Sequence, residues 1–270
     1  MLILSWTTSE VVENRYHGFE YNRLKIESAL RFRGILEENV KARNVTMVSS
    51  RISYLDGIKI QTSLVDSHRS DLTSAADTLV ILEHTPVYTI GIRTKGYTLE
   101  DEKKLLKTGA DFYKTNRGGL ITFHGPGQLV VYPILNLKNF YTSMRWYVNQ
   151  LENTVINVCN DLGLKAKTSP HTGVWINDNK ICAIGIHGSR FITSHGLALN
   201  CNTDLSWYKH IIPCGIEGKG VTSFTQELGR NVPIDEIIPV FLDNFSRTFK
   251  CHFVNLKEGE IYTILKRASI

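Results

Sequence analysis

Several signatures that would fix the class of this 270-residue chain are missing from it. Its five cysteines, Cys159, Cys182, Cys201, Cys214 and Cys251, include no CxxC pair. That excludes the common zinc and disulfide frameworks and makes a reducing compartment the natural one. No apolar run approaches the ~18–20 residues of a membrane helix. The longest, around Leu129–Leu137, is interrupted by Pro133 and Asn136. No Lys/Arg block marks a nucleic-acid face, and the net charge of +5 is mild, suiting acidic protein partners without demanding them. A Walker A loop, a serine nucleophile elbow and a zinc signature are all absent, and Gly125-Pro126-Gly127 lacks the third glycine of a dinucleotide loop. The composition that remains, 42% hydrophobic and 21% charged, is that of an ordinary soluble globular protein with ample core.

From about residue 52 the periodicity alternates between strand and helix. Thr78–Leu82 and Val87–Ile90 are short β-rich runs around the turn Glu83-His84-Thr85-Pro86. Thr98 to Lys107 reads as a helix, with Thr98 as cap, three acids in the first turn and Gly109 just past the end. Strand patterns follow at Asp111–Thr115, Leu120–Phe123 and Leu129–Leu135. A helix begins near Ser143, with Tyr147, Leu151, Val155, Val158 and Leu162 on one side. Val174–Ile176 and Lys180–Ile186 flank the turn Asn177-Asp178-Asn179 as a hairpin, residues 191–200 add a strand, and Ile234–Phe249 is a last amphipathic helix. Strands in groups with helices between them predict an α+β domain, its sheet mixed or antiparallel and flanked by helices.

Chemistry concentrates in three stretches. In RGGLITFHGPGQ, Arg117, Gly118 and Gly119 set an obligate cation beside backbone that can approach a ligand closely. Thr122 and His124 then share one face of a short strand, and Gly125-Pro126-Gly127 turns the chain sharply behind them. The same pattern also suits a structural glycine-rich hairpin. Lys180 opens a strand of apolar or small residues, where its ammonium either serves a site or simply reaches the surface. His195 precedes the small-residue run Gly196-Leu197-Ala198, as a pocket residue or as a satisfied structural histidine. Cys214, between Pro213 and Gly215, is the cysteine whose context suits an accessible thiol; a nearby ammonium would favour its thiolate.

Taken together and in order, RGGLITFHGPGQ, NKICAIGIHGSRFITSHGLALN and PCGIEGKGVTSF resemble the lipoyl(octanoyl) transferases, over roughly residues 52–250. The resemblance implies a fold similar to the catalytic domains of lipoate and biotin protein ligases. It implies transfer of an octanoyl or lipoyl group from acyl carrier protein to a lysine of lipoyl domains. The expected acceptors are the lipoyl domains of 2-oxoacid dehydrogenase complexes and the glycine cleavage H protein. The family's acyl-thioester cysteine falls on Cys214 and the lysine that lowers its pKa on Lys180. Its substrate-binding stretches fall on Arg117, Gly118, Gly119, Leu120, Ile121, Thr122, Phe123 and His124, on Ala183, Ile184 and Gly185, and on Gly196, Leu197 and Ala198. Phe123 stands where many members carry tyrosine. No metal, cofactor, nucleic acid or membrane span is implied. Two alternatives share the resemblance: an ATP-dependent lipoate-protein ligase, and a non-catalytic acyl-protein binder.

Residues 1–51 are expected to form an N-terminal extension to a catalytic domain of residues 52–270. Within residues 1–50 seven basic residues stand against six acidic ones, and Leu24, Ile26, Leu30, Ile35, Leu36 and Val40 recur at loosely helical spacing. The acids make it a poor transit peptide. An extra helix, a partner-binding helix and a leader all remain open. The expected compartment is the mitochondrial matrix, with bacterial-type cytoplasm as the alternative.

Overall fold

The computed structural model describes residues 3–4, 41–48, 51–70, 75–94, 96–212, 218–255, 263–264 and 266–270. The chain runs through β1 (Ile3–Leu4), β2 (Lys41–Val48), α1 (Tyr54–Ser70), β3 (Thr78–Leu82), β4 (Val87–Ile90), α2 (Leu99–Leu106), β5 (Asp111–Lys114) and β6 (Ile121–His124). It continues through β7 (Gln128–Ile134), α3 (Met144–Asp161), β8 (Val174–Ile176), β9 (Asn179–Ser189) and β10 (Ile192–Asn200). The last elements are β11 (Gly220–Val221), α4 (Phe224–Leu228), α5 (Ile234–Phe249) and β12 (Cys251–Asn255). This is the α+β architecture the periodicity predicts.

The main sheet has the order β1-β2-β3-β7-β10-β9-β11, with β12 joined to β2 and β8 to β9. A second, three-stranded sheet has the order β5-β4-β6. The turn at residues 83–86 therefore does not close a hairpin: β3 pairs with β2 and β7, while β4 pairs with β5 and β6. His84 explains the divergence. Its ring is fully buried and hydrogen-bonded to Ile52 O and Tyr132 Oη, so the connection is nailed to the main sheet while β4 leaves it. The main sheet also takes in β2, from the segment before residue 52. The helical spacing noted between Leu24 and Val40 lies outside the described residues.

Helix boundaries follow local chemistry. Thr98 and Asp101 form a reciprocal capping box at α2. Ser143 caps α3 by accepting from the Trp146 N–H, and Gly163 follows that helix at φ +76°. Buried Ile237, Phe241, Phe245 and Phe249 carry α5 against α3 on one face of the main sheet, with Phe245 stacked on Phe249 at 4.1 Å. There they meet Leu129, Val131, Cys182, Ile184, Leu197 and Leu199. Residues of the alternate parity, Val130, Tyr132, Ile134 and Ala198, face α1 on the other side, as a two-residue strand period requires. Among the described residues no helix is long and apolar enough to cross a membrane.

Candidate active site

The register of β9 against β10 brings small residues together. Gly185 pairs with Gly196, and Ala183 pairs with Ala198. These four share one face of the sheet and make a floor without bulk. The small sheet closes over it. Tyr88 and Phe123, paired across β4 and β6, point away into a cluster with Trp207 and Tyr208. Thr89, Thr122 and His124 point the other way. Between the two sheets lies a cavity of about 180 Å³. Tyr54 of α1, Tyr132, His195 and the segment 170–172 complete its wall.

The Arg-Gly-Gly corner is built on close backbone contacts. Gly118 N–H donates to Ile186 O at 2.9 Å, and Ile92 N–H donates to Arg117 O at 2.9 Å. A Cβ at Gly91 would stand 2.4 Å from Gly119 O and 2.6 Å from Arg117 O, so only glycine fits there. The Arg117 side chain lies across Gly185, is 6% exposed, and spends its guanidinium on protein. Nη2 donates to Thr89 O and Thr89 Oγ1, and Nη1 to Gly118 O, all within 2.9 Å.

From Arg117 a buried chain of hydrogen bonds runs inward. Thr89 Oγ1 stands 3.3 Å from His124 Nε2, and His124 Nδ1 stands 2.8 Å from Gln128 Oε1. The Gln128 amide donates in turn to Asn200 Oδ1 and Phe123 O. Because Gln128 Oε1 can only accept, Nδ1 carries the ring proton and the Thr89 hydroxyl donates to Nε2. Burial above all, and then the electrostatic influence of His84 and Arg117, pushes the His124 pKa down to about 3. His124 is a neutral ring with both nitrogens committed: it shapes the cavity and is not poised as a base. His195 is also held neutral, at about 3, chiefly by burial and then by Arg117. It sits at φ +57°, costly for a residue with a side chain, and is pinned by Gln61 Oε1 on its backbone N–H and by Asn116 on Nε2. The Tyr54 ring stacks on His124 and Tyr113, and burial pushes its phenol up to about 12.

Lys180 stands at the far end of the floor. Its Nζ donates to Thr172 O at 3.1 Å and lies 4.7 Å from the centre of the Trp175 ring, a cation–π distance. Trp175 is its cross-strand partner. The buried Glu152 carboxylate accepts from Gly173 N–H; burial raises its pKa, and Lys180 pulls against that rise. β11 runs parallel to this end of β9, with Val221 opposite Lys180 and Thr222 N–H bonded to Lys180 O.

Of the residues singled out in the sequence, Arg117, Gly119, Leu120, Thr122, His124, Lys180, Ala183, Ile184, Gly185, Gly196, Leu197 and Ala198 border this one cavity. Gly118 supports it through its backbone. Ile121 and Phe123 belong to the aromatic cluster behind it. Cys214 lies outside the described residues. Cys159, Cys182, Cys201 and Cys251 are buried and outside the cavity lining. Burial pushes the Cys159 thiol up to about 12 and that of Cys182 well above its usual value. Tyr54, Arg93, Tyr132, Thr172 and Trp175 were not picked out in the sequence; the hairpin register alone could have found Trp175, opposite Lys180. Among the described residues no group of three or more His, Cys, Asp or Glu could hold a metal ion.

Comparison with known proteins gives one answer from sequence and a compatible one from structure. Residues 53–246 match the family model of the lipoyl protein ligase A/B catalytic domain. The mitochondrial octanoyl-[acyl-carrier-protein]:protein N-octanoyltransferase of Danio rerio is 60% identical over 201 residues, 74% of this chain and 90% of that protein. The mitochondrial enzyme of the same name from Homo sapiens is 47% identical over 186 residues, 68% of this chain and 80% of that one. A crystal structure of lipoate-protein ligase A bound with ATP superposes with a TM-score of 0.67 over 84% of this chain and 94% of the other, at 16% identity. That last likeness speaks for the fold alone.

Proposed function

The chain belongs to the lipoyl protein ligase A/B catalytic-domain family, and from that membership we propose that it moves an octanoyl group from acyl carrier protein to a lysine of a protein acceptor. It is an acyltransferase, and it works in mitochondria. The observation that carries this reading is the likeness, over most of its length, to animal mitochondrial octanoyltransferases. The cavity suits it: a small-residue floor leaves room for an unbranched acyl chain, and His124 and His195, both neutral, add no charge to the wall. The acceptors we assign are the lipoyl domains of 2-oxoacid dehydrogenase complexes and the glycine cleavage H protein.

The nucleophile we assign is Cys214, and Lys180 is the group that serves it. The four described cysteines are all buried away from the cavity. Cys214 precedes Val221, the partner of Lys180, by seven residues, a contour of at most ~25 Å. In the first half-reaction the Cys214 thiolate attacks the octanoyl thioester carbonyl, and the departing carrier thiolate takes a proton from the Lys180 ammonium. In the second, the acceptor lysine amine attacks the acyl-enzyme, gives its surplus proton back to Lys180, and expels the Cys214 thiolate. The first exchange is nearly balanced and the second, thioester to amide, runs downhill, so no nucleotide is spent.

The test is octanoyl transfer from purified octanoyl-carrier protein to an isolated lipoyl domain without ATP, read by the acceptor's mass. The acceptor gains one octanoyl group in a single turnover regime. Acylation that appears only with free octanoate and ATP would instead assign the chain to the ligases.

A further inference from the structure

The cavity is more cationic than an octanoyl chain requires. Arg93, Arg117 and Lys180 border it, and no Asp or Glu does so among the described residues. An acyl thioester is neutral, so none of this charge is explained by the group being transferred. Two of the three cations hold protein. Arg117 is spent on Thr89 and Gly118, and Lys180 on Thr172 O and the Trp175 face. Arg93 differs: it is solvent-exposed where it borders the cavity, which puts it at the mouth, and its guanidinium has no partner among the described residues.

Its root is nevertheless fixed. Gly91 N–H donates to Leu120 O, Ile92 N–H donates to Arg117 O, and Gly91 is wedged against three carbonyls of residues 117–119. A long flexible side chain thus hangs from a rigid corner over the opening. Its planar fork of donors fits a phosphate with two parallel charge-assisted bonds.

Resting on the octanoyltransferase reading, we infer that Arg93 is the anion-binding residue of the donor site and holds the phosphodiester of the prosthetic arm that joins the acyl thioester to the carrier. The acyl chain lies on the Ala183, Gly185, Gly196 and Ala198 floor, the arm leaves through the mouth, and its phosphate meets Arg93. Every donor carries that phosphate at the same covalent distance from the thioester, whatever surface the carrier presents. Arg93 selects phosphate-bearing arms and takes no part in bond making.

The experiment compares kcat/KM for two small donors, octanoyl-phosphopantetheine and octanoyl-pantetheine, which differ only in the phosphate, and for intact octanoyl-carrier protein. Wild type, Arg93→Ala and Arg93→Lys are assayed, with melting temperature as the check on folding. The wild-type preference for the phosphorylated donor should fall roughly tenfold in Arg93→Ala, mostly through KM, and fall less in Arg93→Lys. An unchanged preference overturns the inference. So does a penalty confined to intact octanoyl-carrier protein, which would mean that Arg93 meets a carboxylate on the carrier's surface. A wild type inactive on every thioester donor would sink the parent reading, a result distinct from either.

Discussion

Arg117 grips Thr89 twice, with Nη2 donating to the Thr89 carbonyl at 2.7 Å and to its hydroxyl at 2.8 Å. The same hydroxyl then turns its own proton to His124, so one threonine couples the cation of the corner to the ring in the cavity wall.

Thr89→Val keeps the shape and removes the coupling. It strands a buried acceptor on His124 and takes one partner from Arg117. A loss of about 1–3 kcal/mol in urea unfolding is expected, with Thr89→Ser close to wild type. Equal stability of the valine variant would mean that the chain of hydrogen bonds contributes nothing.

The buried histidines make a pH prediction. His84, His124 and His195 are held neutral to about 4, 3 and 3, in each case chiefly by burial. An unfolded imidazole takes up its proton near ~6.5. Between those values the unfolded chain binds more protons than the folded one, so stability is full above about pH 6.5 and falls as the pH drops through the interval. Each histidine contributes up to about 1.4 kcal/mol per pH unit. Chemical denaturation at pH 7.5, 6 and 5 reads this directly; a flat profile would contradict the assignment of neutral buried rings.

Two glycine-to-alanine changes should separate packing from backbone strain. At Gly196 a Cβ would stand 2.1 Å from Val131 O, inside the sheet. Gly196→Ala should cost at least about 1–3 kcal/mol and disturb the cavity floor, lowering transfer as well. At Gly163 nothing lies within 4 Å and only φ +76° opposes a side chain. Gly163→Ala should cost about 1–2 kcal/mol and leave transfer untouched. Similar losses of activity in both would break the link between the floor and function.

Much of this was legible in the sequence because it is written in local chemistry. The caps Thr98 and Ser143 and the apolar stripe of Ile234–Phe249 locate three helices, and the three glycine-bearing motifs locate most of the cavity. The helix Tyr54–Ser70 was not legible. Its buried face includes Gly57, Gln61, Ser63 and His68, polar or small residues that blur the 3.6-residue period. With it went Tyr54, which reaches the cavity only by tertiary packing. The turn residues at 83–86 mark the break between two strands, but they do not say whether the flanking strands pair, and here a buried histidine sends them to different sheets. Arg93 carried no signal because its interest lies in what surrounds it.

Trp175 faces Lys180 across the hairpin and holds its ammonium near the floor. Trp175→Leu removes that face, worth about 0.5–2 kcal/mol. If Lys180 serves the Cys214 thiolate, iodoacetamide alkylation of Cys214 should shift to higher pH in Trp175→Leu, by less than in Lys180→Ala. An identical titration in all three proteins would separate Lys180 from the thiol.

The central claim is that octanoate passes through a thioester on Cys214, and intact-mass analysis tests it most directly. Mixed with octanoyl-carrier protein and no acceptor, the wild-type chain should gain one octanoyl group, removable by hydroxylamine and mapped by digestion to the peptide containing Cys214. Cys214→Ser should show no thioester and no turnover. Stoichiometric octanoyl transfer with no adduct at any stage, or an adduct on Cys182 two residues beyond Lys180, would contradict it.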